Sequence, residues 1–337
     1  MNPLWQTPLV LTLARDARGG VCARAQWQPV AVERLLLRRS PEEAGPLVAR
    51  LLTLCAQAHQ GAAGQAVAAL QETPAPQPAF DERIRVEAGR ETLRRWLVDF
   101  PAVFGRRWLP EAFAEWHGLN TRQALDAFCQ RHVYAMPAGD WLALDTAALR
   151  DWAATADTLP AAWLTSCWRE FEYASGPDGQ SAPPSAELLA WIGANAARLI
   201  EGDLPEPAPA HADLALSGDE RIGLPARLLL ARLRALAEIC AGESSPCSGG
   251  ERHGDIGLGW ARTARGMLAH LVRIERGRLT GYRVLPPTLW NFGPQSLLPA
   301  MLKSAPPEQA RADAERLVLL LDPCTAYRID MPEGDHI

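Results

Sequence analysis

Long apolar runs are missing from this chain of 337 residues: no uncharged stretch reaches the ~20 residues that a membrane span requires. Met1 to Val10 also lacks the basic segment followed by an apolar one that marks a secretory leader. Regular cysteine spacing is missing too. Seven cysteines stand at positions 22, 55, 129, 167, 240, 247 and 324, an odd number at irregular intervals. In a chain this long, that argues against a disulfide framework and for a reducing compartment. A basic phosphate-binding footprint is absent, the formal net charge being -5, so nucleic acid is a poor candidate partner. A protein of the cytoplasm, with no membrane contact, is expected.

What is present is apolar mass. Apolar residues make up 48% of the chain, enough for a large core in one domain or about two. Leu9 to Ala14 and Val21 to Trp27 flank a turn-rich break and read as paired strands. From Pro41 the period changes, and Val48, Leu51, Leu52, Cys55, Ala58, His59, Ala62 and Ala66 recur at helical spacing. Further stripes at Leu93, Trp96, Leu97 and Phe100, and at Leu229, Leu233, Leu236 and Cys240, predict helices through the middle. Glu91 stands four residues before Arg95, the spacing of an ion pair on one helix face. Pro- or Gly-rich stretches over 73–80, 203–211 and 242–254 read as linkers or loops. Leu268 to Ile274 and Leu279 to Leu285 flank Glu275-Arg276-Gly277 as a hairpin. The class is α+β, dominated by helices, with small sheets toward both ends.

Three motifs carry chemistry. Asp322-Pro323-Cys324 reads as a helix start, with Asp322 as cap and Cys324 in the first turn, where the helix dipole favours a thiolate. A thiolate suits a soft transition metal; the plainer alternative is a turn with a buried thiol. Cys55 and His59 share a helix face, as a ligand and its neighbour or as members of a core stripe. Arg265-Gly266-Met267-Leu268-Ala269-His270 leads through Tyr282 to Pro287-Thr288-Leu289-Trp290-Asn291, where Arg265 and Thr288 offer donors to an anionic ligand. Cys240, Cys247 and His253 fit no usual zinc spacing, Cys129 with His132 reads as core, and His336 as an exposed tail residue.

In these motifs the chain resembles the large subunit of nickel-iron hydrogenases. That family carries Arg-x-Cys-x-x-Cys-x-x-x-His near its start and Asp-Pro-Cys-x-x-Cys-x-x-His at its end. Their four thiolates hold nickel and an iron bearing cyanide and carbon monoxide. Arg50, Cys55 and His59 fall in register here, and so do Asp322, Pro323 and Cys324. Arg39-Ser40-Pro41 and Glu33 match upstream positions, and the resemblance implies a proton-relaying role for that glutamate. The run from Arg265 to Asn291 matches the segment that hangs over the diatomic ligands. Leu52 and Tyr327 replace two of the four cysteines, and Asp330 replaces the final histidine. The resemblance makes Cys55's position a bridge between the metals and Cys324's a nickel ligand.

With two thiols gone, a stable nickel-iron centre and hydrogen turnover are not expected, nor is nickel. The pattern looks like the hydrogenase assembly proteins of the HupK/HoxV type, and a single large-subunit-like domain over 1–337 is expected. That resemblance implies a maturation chaperone, scaffold or carrier. Its cargo is the iron-cyanide-carbonyl fragment, held transiently by Cys55 and Cys324. His59, Arg265, Thr288 and Glu33 stand around it. Implied partners are hydrogenase accessory proteins and the large-subunit precursor. Removal of a C-terminal peptide is not expected. A metal-free docking module and a degenerate enzyme using Glu33 and Cys324 are the alternatives.

Overall fold

The computed structural model describes residues 8–15, 20–29, 31–73, 78–105, 110–170, 185–204, 223–242, 245–293, 296–303 and 305–331. Leu9, Leu11 and Leu13 are fully buried while the residues between them are half-buried. This period of two makes β1 (Leu9–Arg15), paired antiparallel with β2 (Val21–Gln26). β1 has a second neighbour that the sequence reading missed. Strand β7 (Tyr327–Asp330) runs parallel to it, with Leu9 opposite Tyr327 and Thr12 opposite Asp330. The first and last strands therefore share one sheet, ordered β2-β1-β7.

The helical period from Val48 to Ala66 is interrupted. α1 (Pro41–Leu51) starts at a capping box, where Glu43 accepts the Ser40 N–H at 2.9 Å. It ends at Leu52, a single 3₁₀ turn spans Thr53–Cys55, and α2 (Ala56–Gln71) begins with Cys55 as its N-cap residue. The break is stable because another helix satisfies the free amides of α2. The Gln57 and Ala58 N–H groups donate to the Glu87 carboxylate of α3 (Pro78–Val98) at 2.9 and 3.0 Å. The linker expected over 73–80 is thus shorter, since α3 already includes Pro78. Residues 74–77 lie outside the described residues, as do 205–211 of the second expected linker and His336.

The loop expected over 242–254 contains a strand, Ser248–His253. The hairpin forms as β5 (Gly266–Glu275) and β6 (Arg278–Leu285), but β3 (Ser248–His253) and β4 (Ile256–Thr263) precede it. All four make an antiparallel sheet in chain order. The glycines that look like loop residues provide clearance instead. α2 crosses β4 so closely that a Cβ on Gly257 would collide with the Ala66 carbonyl oxygen, and one on Gly259 with that of Ala62. Ala58, Ala62 and Ala66 of α2 are buried against this sheet.

The other face of the sheet packs on Leu188, Ile192, Leu199 and Trp290. A third core gathers the leucines of β1, Trp96 of α3, Phe100 just beyond it, and Leu229, Leu233 and Leu236 of α4 (Leu224–Ala241). α5 (Pro287–Asn291) follows the four-stranded sheet, and α6 (Ala310–Leu321) precedes β7.

Asp322-Pro323-Cys324 ends a helix rather than starting one. The Asp322 N–H donates to Val318 O at 2.8 Å, closing α6, and Asp322 itself turns left-handed at φ 53°. That conformation costs a non-glycine residue about 1–2 kcal/mol, and the arginines around its side chain, described below, hold it there. No helix among the described residues is long and apolar enough to cross a membrane. The architecture is α+β, helix-dominated, with two small sheets.

Candidate functional site

Cys55, in the turn between α1 and α2, and Cys324, just after α6, reach the same centre. Arg265, in the turn between β4 and β5, places Nη1 3.5 Å from Cys55 Sγ. The Thr288 hydroxyl of α5 donates to Cys324 Sγ at 3.0 Å and accepts the Cys324 N–H at 3.0 Å. Asn291 Nδ2 donates to the carbonyls of Arg265 and Leu321, each at 3.0 Å, tying the two loops together. Burial pushes the Cys55 thiol up to about 12 against the pull of Arg265, and a charge on Cys324 would push the same way. Cys324 keeps part of its surface exposed. Burial of its thiol raises its pKa as well, against the Thr288 hydrogen bond and Arg265. No helix starts at Asp322, so the helix dipole expected to favour a Cys324 thiolate is not there.

Behind the thiols lies a buried ionic floor. Arg265 Nη2 donates to Glu91 at 2.6 Å, and its Nε lies 3.3 Å from Asp322. Glu91 also binds Arg94 at 2.7 Å, so the expected Glu91–Arg95 pair does not form. Arg95 instead reaches Asp99 at 2.8 Å and Asp322 at 2.5 Å, and its Nη2 donates to Pro323 O at 2.7 Å. Arg232 of α4 lies 3.5 Å from Asp322 and donates to Leu320 O and Ala264 O at 2.9 and 2.8 Å. It thereby clamps the end of α6 to the Arg265 turn. Burial would raise the Asp322 pKa, but Arg265, Arg95 and Arg232 override it and hold the carboxyl below its usual range. Burial lowers Arg232 to about 10, against the pull of Asp322.

The opposite wall is neutral. A cavity of about 90 Å³ is lined by Trp27, Glu33, Leu52, His59, Val284 and Cys324, among others. His59 Nδ1 lies 2.9 Å from His270 Nε2, and His270 Nδ1 lies 2.7 Å from Tyr282 Oη. Burial keeps both imidazoles neutral, lowering His59 to about 3 and His270 well below its ordinary value. Glu33 Oε1 accepts the Val284 N–H at 3.3 Å, and its buried Oε2 has no hydrogen-bond partner among the described residues. A more open groove of about 310 Å³, lined by Leu54, Arg94, Arg95 and Tyr327, also reaches Cys324.

Of the residues singled out from the sequence, Arg265 touches Cys55 and Thr288 touches Cys324, Arg265 acts electrostatically on both thiols, and His59 and Glu33 line the cavity that Cys324 also lines. Among the described residues, no three of His, Cys, Asp and Glu group as a metal cage. Leu52 lines the cavity without a donor, and Tyr327 lies in β7. Cys129, Cys167 and Cys240 belong to the core, and Cys247 Sγ donates to Asp81 O at 3.3 Å.

Residues 243–324 match the family model described as nickel-dependent hydrogenase. The hydrogenase expression/formation protein HupK of Rhizobium leguminosarum bv. viciae is 31% identical, over 96% of each chain. The chain belongs to the HupK/HoxV family of hydrogenase expression/formation proteins. HoxV of Cupriavidus necator is 29% identical over 95% of this chain and 96% of its own. Among solved structures, a reduced, active Ni-Fe-Se hydrogenase from Desulfomicrobium baculatum superposes with a TM-score of 0.57 at 13% identity, covering 93% of this chain and 95% of that one. An NAD+-reducing NiFe hydrogenase in the H2-reduced state gives 0.56 at 14% identity, covering 93% and 94%. At these identities the likeness is one of fold.

In this HupK/HoxV member, reading the sequence alone missed Glu91, Arg95 and Arg232 as the counter-charges of Arg265 and Asp322. It also missed Glu87 as the acceptor for α2. His270 and Tyr282 were named as part of a matching run, without a partner. A signal was available for the histidine: on strand β5, His270 interrupts an otherwise apolar, wholly buried run from Met267 to Val272, where a polar ring needs partners.

Proposed function

We propose that this chain serves hydrogenase maturation as a transient carrier of an iron fragment bearing cyanide and carbon monoxide, with Cys55 and Cys324 as its protein ligands. Membership of the HupK/HoxV family supports the maturation role. One observation supports the carrier role: the buried Arg265 guanidinium acts electrostatically on two thiols from distant parts of the chain, one of which lines a small cavity, and among the described residues no third ligand groups with them. Soft thiolates suit iron of this kind. Loading requires each thiol to release its proton, because metal ligands bind deprotonated. Arg265 stands where the negative charge of Cys55 would appear, and the Thr288 hydroxyl already points at Cys324.

Arg265 and Thr288 were expected to donate to cyanide nitrogens. In this geometry Arg265 turns Nη1 to Cys55 and Nη2 to Glu91, Thr288 donates to Cys324, and Arg265 Nε, 3.3 Å from Asp322, makes no hydrogen bond among the described residues. Their first task in the carrier reading is therefore to stabilise the two thiolates. Leu52 and Tyr327 stand where the resemblance places the other thiols, so the hold is weaker than a four-thiolate centre and transfer to such a centre runs downhill. Hydrogenase accessory proteins and the large-subunit precursor are the proposed partners, and hydrogen turnover is not part of the reading.

A metal-free docking role is favoured by one fact: a thiol held at about 12 behaves as an inert structural cysteine. The two readings separate in one experiment. Protein purified with its assembly partners is expected to carry iron and show cyanide and carbonyl infrared stretches, both lost in the Cys55→Ala, Cys324→Ala double variant. Wild-type protein without iron or stretches, with a double variant that still supports maturation, would leave the docking role.

A further inference from the structure

We propose that His270 and Tyr282 are positioning residues that fix the tautomer of His59, so that its imidazole offers the cavity an Nε2–H donor. Three buried side chains from α2, β5 and β6 form one line, His59 Nδ1 to His270 Nε2 and His270 Nδ1 to Tyr282 Oη. A neutral imidazole carries its proton on one nitrogen and accepts at the other. Both rings are therefore locked into one of two polarities. In the first, Tyr282 O–H donates to His270 Nδ1, His270 Nε2–H donates to His59 Nδ1, and His59 keeps its proton on Nε2. In the second every bond reverses, and the Tyr282 proton must find an acceptor elsewhere.

Two observations select the first polarity. Glu33, a carboxylate close enough to act on the Tyr282 hydroxyl electrostatically, does not accept from it. Glu33 Oε1 is taken by the Val284 N–H, and Oε2 has no hydrogen-bond partner among the described residues. A phenol, with an ordinary pKa of ~10, is also a better donor toward an imidazole lone pair than toward no acceptor at all. With Nδ1 engaged, Nε2 is the ring nitrogen left for a ligand, and it carries a hydrogen rather than a lone pair.

Two consequences follow for the cavity. His59 does not ligate iron through Nε2, and the group it faces must be an acceptor, a class that includes the nitrogen of metal-bound cyanide and a thiolate. The identity of that ligand rests on the carrier reading; the tautomer does not.

The test uses the full-length, metal-free chain labelled with ¹⁵N-histidine. Long-range proton–nitrogen NMR spectra at neutral pH resolve the tautomers, and His59 is assigned by the signal missing in His59→Gln. Wild type is expected to show His59 as a single Nε2–H tautomer. Tyr282→Phe is expected to turn this into a mixture while the melting transition is retained. A wild-type His59 protonated on Nδ1, or an unchanged His59 pattern in a folded Tyr282→Phe, overturns the proposal. If Tyr282→Phe fails to fold, His270→Gln is read by the same two outcomes, because an amide imposes no polarity. Infrared stretches that persist while the tautomer is wrong would sink this inference alone; their loss with the tautomer intact would sink the carrier reading alone.

Discussion

Arg265 and His59 stand on two sides of Cys324, yet one is kept charged and the other neutral. The charged side stays ionised because each charge has a partner: Arg265 with Glu91 and Asp322, and Asp322 with Arg95 and Arg232 as well. On the cavity side no carboxylate hydrogen-bonds to the imidazoles among the described residues, so burial keeps them unprotonated, and hydrogen bonds along the line to Tyr282 satisfy the rings instead. The site is thereby polarised. Negative charge developing on sulfur is met from the guanidinium side, while the cavity side presents dipoles and apolar surface.

The comparison breaks most sharply at Asp322. Asp322→Ala leaves Arg95, Arg232 and Arg265 facing one another with too few counter-charges. Removing one partner from a buried ionic group costs about 3–5 kcal/mol, so the unfolding free energy measured by urea titration should fall by that amount. A loss under about 1 kcal/mol would mean that the floor does not depend on this carboxylate.

Acid should attack the two sides in a fixed order. The folded pKa values of His59 and His270 lie below the unfolded value of ~6.5, so the unfolded chain binds more protons as pH falls. Their contribution is fully present above pH ~6.5 and is lost below it, by up to about 1.4 kcal/mol per pH unit for each ring. For His59 the loss extends down to its folded value of about 3. The Asp322 pKa is also depressed, but its contribution persists down to the unfolded carboxylate value of ~3.9 and fails only below it. Denaturation midpoints at pH 7, 5.5 and 4.5 should therefore decline in wild type, and decline less steeply in His59→Gln. Parallel declines would show that His59 is not the source.

The smallest expected effect is at the contact between the two sides. Thr288→Val removes the donor to Cys324 Sγ and the acceptor of the Cys324 N–H. It should cost about 1–3 kcal/mol and lower the reactivity of Cys324 toward a thiol reagent at fixed pH, because the Thr288 hydrogen bond holds the Cys324 pKa down and its loss leaves less thiolate. Unchanged stability and labelling would remove Thr288 from the site.

Legibility in the sequence followed periodicity. β1, β2, the β5–β6 hairpin, α2 and the stripes of α3 and α4 repeat every two or every three to four residues, and each forms. β3 was hidden by Gly249 and Gly250 inside the expected loop, and β4, whose Gly257 and Gly259 leave room for α2, was not marked at all. β7 is four residues long and gains its place from β1, a pairing no local pattern records. Asp-Pro-Cys was misread because capping rules are local. The arginines of α3, α4 and the β4–β5 turn hold Asp322 in a left-handed turn that its type would normally leave to glycine. The candidate site was legible where family motifs marked it and illegible where it depends on side chains meeting across elements, as at Glu91, Arg95, Arg232, His270 and Tyr282.

The parallel seam between β1 and β7 has a kinetic meaning. Four residue pairs, Leu9–Tyr327 to Thr12–Asp330, fasten the segment that follows Cys324 to the head of the chain. So short a ladder opens far more readily than the four-stranded sheet that carries Arg265. Cys324 itself is held upstream of that seam, by Thr288 and by Arg95 at Pro323 O, so fraying of the strand would leave the thiol in place.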